Sequence, residues 1–229
     1  MLQRRTLIQS AAAAATLGLP GFGAFAQQGV TLKFHTFMAP TSNVYLNAHK
    51  AWMTKVEKDS NGRIRFEGYP AMQLGGSPAQ LYDQARDGVV DIVWTLAGNS
   101  PGRFPRTEVF ELPFMTADAI GASRAAWEYL QTHAADEFKE VQPLAFHTHG
   151  PGLLHSKNKA IKSAADLRGM KVRGPTRQAT KLLSAAGASA VGMPLPQIPD
   201  ALTKGVIDAA ALPWEVIPSV KVHELSQHH

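Results

Sequence analysis

The 229-residue sequence predicts an α/β fold of two similar lobes with mainly parallel sheets. Two observations carry that expectation. Strand-like and helix-like segments alternate along the chain, and such a succession builds parallel ladders with helices on both faces. A short pattern also occurs twice. Asp87-Gly88 leads into Val89-Val90-Asp91-Ile92, and Lys204-Gly205 leads into Val206-Ile207-Asp208-Ala209, each time after an amphipathic helix. A repeated helix-Gly-strand junction implies two lobes with a ligand between them, at the carboxyl ends of strands.

Taken in order, Val30 to Phe37 alternates apolar and polar residues as a strand does, and Pro40 to Asn43 turns the chain. A helix follows with Tyr45, Ala48, Trp52 and Val56 on one stripe, ended by Asn61-Gly62, and Ile64 and Phe66 share a face of the next strand. Ser77-Pro78-Ala79-Gln80 starts a helix, with a capping residue, a first-turn proline and a glutamine three on. That helix ends at Gly88, and Val89 to Trp94 reads as a buried strand. Asp118 to about Lys139 is a longer helix containing Trp127 and Phe138, and Leu144 to Thr148 is another strand. Ser163 and Asp166 form a capping box, Gly169 stops that short helix, and Met170 to Val172 is a strand with Arg173 at its carboxyl end. Thr176 caps the next helix, whose Ala179, Leu182, Leu183 and Ala186 share a face.

Composition narrows the class. With 45% hydrophobic and 18% charged residues the chain belongs with folded soluble proteins. The absence of cysteine excludes a disulfide framework, a thiolate metal site, a cysteine nucleophile and a lipid anchor on an N-terminal cysteine. The net charge is +5, falling to +3 without Arg4 and Arg5, and no Lys/Arg run of five exists, so nucleic acid is not an expected partner. Residues 1–26 read as an export signal. The adjacent Arg4 and Arg5 are twin-arginine-like, and a short apolar stretch broken by Gly18, Pro20, Gly21 and Gly23 ends in Ala24-Phe25-Ala26. The expected mature chain begins at Gln27, outside the cytoplasmic membrane, with a first lobe over 27–148 and a partial second lobe over 149–229.

Arg173 is the leading candidate site residue. A guanidinium beside a helix N-terminus suits a carboxylate, because its fork offers two parallel donors and the unpaired helix amides add positive potential. The plain alternative is an exposed arginine or one tied to a structural carboxylate.

NGRIRFEGYPAMQLGG, DGVVDIVWTLAGNSPGRFP, HTHGPGLLHS, DLRGMKVRGPT and KGVIDAAALPWEVIPSVKVHEL follow one another along the chain. In order and spacing they resemble the solute-binding proteins of tripartite ATP-independent periplasmic (TRAP) transporters, over essentially everything after Ala26. The resemblance implies a two-lobed periplasmic-binding-protein-like fold that captures an organic acid and delivers it to membrane permease subunits. It also implies that the family's carboxylate-clamping arginine is Arg173. Sialic-acid binders of that family carry a second arginine where this chain reads Leu153 and its neighbours. They also carry an asparagine where it reads Ala211, Leu212, Pro213 and Trp214. A sugar acid would leave its hydroxyls unsatisfied there. The expected ligand is therefore an aromatic or aliphatic 2-oxo or 2-hydroxy monocarboxylate. Members of the family are longer, so the resemblance implies a chain that stops short of its full length, with apolar lobe surface exposed and weakened folding or binding.

The remaining candidates are weighed residue by residue. His149 borders the Gly150-Pro151-Gly152 turn and is a candidate ligand hydrogen-bonder. Trp214 lies in a loop after a buried strand and is a candidate for stacking on the ligand. Phe37 and Trp94 end strands of the first lobe and fit ligand contact and plain core equally. His147 and His149 would share a face of a strand, with His155 following, but no third-ligand motif marks a metal site. NSPGRF lacks the ending of a phosphate loop, and Ser100, Ser156 and Ser184 lack a hydrolase elbow. The reading is thus a monomeric, non-enzymatic periplasmic binding protein without metal or cofactor. Its alternative is an exported enzyme acting on a small carboxylate, with Arg173 as anchor and His149 as acid/base.

Overall fold

The computed structural model describes residues 29–115 and 118–229. The export-signal reading of residues 1–26 lies outside them. Two sheets organise the chain. The first has β1 (Val30–Thr36) between β2 (Ile64–Tyr69) and β3 (Ile92–Trp94), all parallel. The second has the order β4 (Leu153–Ser156), β7 (Ala209–Leu212), β5 (Lys171–Gly174), β6 (Ser189–Gly192). Strands β5, β6 and β7 are parallel, and β4 runs antiparallel to β7. In each sheet the first strand of the β-α-β-α-β run (β1, β5) lies between the other two. Mainly parallel sheets are therefore what the alternation of elements produces.

The sequence echo is a structural repeat. Asp91 donates its N–H to the Lys33 carbonyl (3.2 Å), and its carboxylate accepts the Lys33 N–H at 2.7 Å. Asp208 does the same with Lys171, at 2.7 and 2.8 Å. Gly88 and Gly205 precede these turns with φ of 70° and 68°, the left-handed region that favours glycine. Valine and isoleucine then point in at Val90 and Ile207, while Val89 and Val206 face solvent. Asp91 thus pins the middle of β1, and Asp208 pins the first residue of β5. Replacing Asp208 by alanine is expected to lower stability by about 1–2 kcal/mol in urea denaturation, and by asparagine by less, because an amide oxygen still accepts the Lys171 N–H. An equal loss in both variants would show that charge rather than this bond matters.

Helix boundaries follow the local signals closely. Ser77 and Gln80 close a capping box on a 3₁₀ turn that runs into α2 (Leu81–Arg86), and Ser163 with Asp166 closes another. Thr176 caps α4 (Arg177–Ala185) by accepting the Ala179 N–H, and Asp118 caps α3 (Ala119–His133) through Gly121. The expected Asp118–Lys139 helix breaks at Ala134, after which Ala135–Phe138 is a 3₁₀ turn. The shorter α5 (Ile198–Thr203), α6 (Ile217–Val220) and α7 (Val222–Leu225) complete the second half.

Three expectations are corrected. The Val89–Trp94 strand starts only at Ile92, and its three residues are half-buried. Leu144–Thr148 forms no strand. Its backbone is tied instead to α3, with the Thr148 N–H bonded to Ser123 Oγ (3.0 Å), and Leu144 is exposed. An apolar alternation makes a strand only where a neighbouring strand offers a ladder. The first helix is a π-helical segment (Tyr45–Lys50) continuing as α1 (Ala51–Asp59); Tyr45 of the expected stripe is buried, but it is joined by His49 and Met53, while Ala48 and Trp52 are exposed. A wide π turn rotates the face by comparison with a 3.6-residue reading.

The largest apolar cluster runs between the two sheets. Phe37, Met38 and Leu81 from the first half join Ile198, Leu202, Ile207, Leu212 and Ile217 from the second. Leu81, Ile198, Leu202 and Ile207 have no solvent exposure, and each fully buried aliphatic side chain contributes about 1.5–3 kcal/mol.

Candidate functional site

Arg173 sits in β5 with 3% of its surface exposed. Register places it opposite Val191 of β6 and Ala210 of β7, in the middle of the second sheet. Nε donates to the Met193 carbonyl and Nη1 to the Ala211 carbonyl, each at 2.9 Å. Among the described residues no carboxylate lies within salt-bridge distance of it. Burial alone pulls its pKa down to about 10, so it remains a cation at neutral pH. Of five N–H donors two are used, leaving Nη2 and one Nη1 hydrogen for another acceptor. A buried cation held only by neutral carbonyls is costly, and an arriving anion relieves that cost.

Phe37 and Trp94 form an aromatic wall on the first half. Their rings lie 5.5 Å apart at the carboxyl end of the first sheet. Both belong to the interlobe apolar cluster that also contains Val191, Met193 and Leu212, the neighbourhood of the carbonyls that hold Arg173. The Trp94 indole N–H donates to His147 Nε2 at 3.0 Å, and His49 packs against the same indole with ring centroids 4.9 Å apart.

A polar clasp joins the two halves beside this wall. Glu108 is buried and accepts from the Gly102 N–H (3.0 Å), from Gln178 Nε2 (3.0 Å) and from Arg177 Nη2. Glu111, one helical turn on, accepts a hydrogen bond from Thr176, and burial raises its carboxyl pKa. Gly98 is pressed against the same spot, where a Cβ would come within 2.4 Å of Thr176 Cγ2 and 2.6 Å of Glu111 Oε1. Lobe 1 therefore grips the first turn of α4, the helix that follows Arg173.

The arrangement sets a buried cation, held by the Met193 and Ala211 carbonyls, beside an apolar cluster that the two α/β halves share and that includes the Phe37–Trp94 pair. The model of the bacterial extracellular solute-binding protein family 7 matches residues 34–229. The chain belongs to this family. It is 71% identical, with a TM-score of 0.86, to a TRAP solute-binding protein from Rhodoferax ferrireducens T118 solved with copurified benzoate. It is 56% identical, at 0.87, to a marine metagenome TRAP protein specific for aromatic acid ligands, solved with 3-hydroxybenzoate. It is 31% identical, at 0.80, to a protein from Bordetella bronchiseptica with bound (R)- and (S)-mandelate. These matches cover 86%, 88% and 87% of this chain, which spans 62%, 63% and 63% of theirs. All three neighbours are TRAP solute-binding proteins.

Within this family-7 fold the residues singled out from sequence separate into two groups. Arg173, Phe37 and Trp94 come together around one apolar cluster. Trp214 does not join them. It is half exposed, and its ring packs edge-on to His155 at 5.0 Å and beside His229 at 5.1 Å. His149 is exposed, with Nδ1 2.6 Å from the Gly150 carbonyl, and it acts electrostatically on Glu111. The three histidines weighed for metal are divided among Trp94, Gly150 and, for His155, the Leu212 carbonyl at 3.1 Å. Among the described residues no group of three or more His, Asp or Glu could hold a metal ion, and no helix is long and apolar enough to cross a membrane. Sequence reasoning missed His49, Glu108 and Glu111. Two glutamates three apart, in a segment rich in turn residues, carry no motif that reveals their partner on a distant helix.

Proposed function

We propose that this chain captures an organic acid, either an aromatic monocarboxylate or an apolar 2-oxo or 2-hydroxy monocarboxylate, outside the cytoplasmic membrane, in the periplasm, and presents it to TRAP permease subunits. The observation that carries this reading is Arg173, a buried cation with unused donors and no acidic partner among the described residues, set in apolar surroundings. The carboxylate pairs with the guanidinium fork, and Phe37 and Trp94 enclose the ring or tail. Closure of the halves then removes the ion pair from water, and the Glu108 clasp on Arg177 and Gln178 holds the closed arrangement. The benzoate and 3-hydroxybenzoate held by two relatives support the aromatic monocarboxylate, and the mandelate held by a third supports the 2-hydroxy acid. We read the chain as a non-enzymatic binding protein acting as a monomer. Arg173 is the anchor, Phe37 and Trp94 are the wall, and His149 and Trp214 are candidate ligand contacts at its margin.

The charge count decides between acids. One buried cation neutralises one carboxylate, and a second carboxylate would be buried unpaired. Benzoate and mandelate are therefore expected to raise the thermal midpoint in proportion to the logarithm of their concentration, by about 2.7 kcal/mol of stabilisation at a hundredfold excess over Kd. Succinate and malate should do so only at much higher concentration, and no acid should be turned over. Tighter binding of succinate than of every monocarboxylate tested, or formation of a product, would refute this reading.

A further inference from the structure

His49 is the most unusual polar group outside the carboxylate anchor. It is 6% exposed, and neither ring nitrogen has a hydrogen-bond partner among the described residues. Buried side-chain nitrogens are nearly always paired, so an imidazole with both left open calls for an explanation. Its setting supplies one. The ring lies in the π-helical segment Tyr45–Lys50, a rare geometry found disproportionately at functional sites. It is enclosed by Phe34 at 5.1 Å, Tyr45 at 6.0 Å and Trp94 at 4.9 Å. Trp94 is the last residue of β3, so the imidazole stands at the carboxyl end of the first sheet, the edge where ligands of parallel α/β folds bind. Trp94 itself is held by the bond from its indole to His147, which leaves His49 without a claim on that N–H.

We propose that His49 is a specificity-determining residue that hydrogen-bonds a hydroxyl group on the ligand's ring, distal to the carboxylate on Arg173. This rests on the aromatic-acid reading above. A neutral imidazole has one donor and one acceptor nitrogen, so it serves a phenolic hydroxyl in either direction. An unsubstituted ring leaves both nitrogens as they are, whereas a hydroxyl fills one at no further desolvation cost to the protein. A site with such a group discriminates a hydroxylated ligand from its bare analogue far better than an apolar wall does.

The test is calorimetry of benzoate, 3-hydroxybenzoate and 4-hydroxybenzoate against the wild type, His49→Phe and His49→Gln. The wild type is expected to bind at least one hydroxybenzoate about tenfold or more tightly than benzoate. His49→Phe should reduce that ratio to about one while leaving benzoate within about threefold, and His49→Gln, which keeps a donor and an acceptor, should retain part of the preference. A wild-type ratio near one, or a ratio unchanged in His49→Phe, overturns the proposal while leaving the aromatic-acid reading in place. Failure of the wild type to bind any of the three acids overturns both. If His49→Phe does not fold, imidazole nitrogen NMR of the wild type decides. The His49 resonances must shift with the preferred hydroxybenzoate and not with benzoate, and equal responses to both count against the proposal.

Discussion

Replacing Arg173 by alanine is expected to weaken binding of an aromatic monocarboxylate by roughly thirty- to several-thousand-fold, which corresponds to about 2–5 kcal/mol. The loss is large because the ligand's carboxylate would then be enclosed by Phe37, Trp94 and the Leu212 neighbourhood with no cation to meet it. Arg173→Lys should recover little of it. An ammonium on a shorter stem cannot hold the Met193 and Ala211 carbonyls and also offer parallel donors to a carboxylate. Calorimetry with benzoate measures the loss, and urea denaturation of the unliganded protein separates it from any change in folding. The two effects should part company. Removing a buried unpaired charge relieves a cost, while freeing two carbonyls imposes one, so unliganded stability should move far less than affinity. A lysine variant that binds as tightly as wild type would disprove the fork as the anchor.

Acid is expected to destabilise the protein through His49. Burial, with a smaller contribution from the nearby His147, lowers its pKa from 6.5 to about 4. The folded imidazole thus stays neutral at pH values where the unfolded chain already binds a proton. The associated stability is present in full above pH 6.5 and is lost as pH falls towards about 4, at roughly 1.4 kcal/mol per pH unit and on the order of 3 kcal/mol in all. Glu111 works the other way. Its raised carboxyl pKa favours the folded state at low pH, and that contribution is lost as pH rises above the ordinary glutamate value. The informative quantity is therefore the difference between wild type and His49→Phe. Between pH 7.5 and 4.5 the urea midpoint of wild type should fall relative to that of His49→Phe, because phenylalanine has no proton to refuse. Parallel pH dependence of the two proteins would show that His49 carries no such linkage.

Much of this molecule is legible in short stretches of sequence. The capping pairs Ser77–Gln80 and Ser163–Asp166 and the cap Thr176 are all made as read, because each bond closes within a few residues and owes little to the rest of the chain. Gly88 and Gly205 announce a required backbone conformation by being the residue that adopts it most cheaply. The repeated Val-Val-Asp and Val-Ile-Asp turns carry the duplication of the two sheets in the same way. Arg173 was identifiable because strand, cation and helix cap stand within four residues of one another.

Tertiary structure decided everything that needed a distant partner. Leu144–Thr148 has the alternation of a strand yet lies beside α3. Trp214, a candidate for stacking on the ligand, packs on His155 and His229, since a loop tryptophan goes wherever an apolar surface is presented to it. The clasp between Glu108 and the start of α4 joins residues 69 and 70 positions apart, and no local pattern encodes that meeting. His49 was invisible for the same reason, its character arising from Phe34 and Trp94 on two other elements. The division is physical. Caps and glycine turns are decided by steric limits and hydrogen bonds inside one turn of chain, where sequence neighbours are spatial neighbours. Ladders, buried charges and perturbed imidazoles are decided by desolvation, which depends on what the folded chain brings alongside from elsewhere.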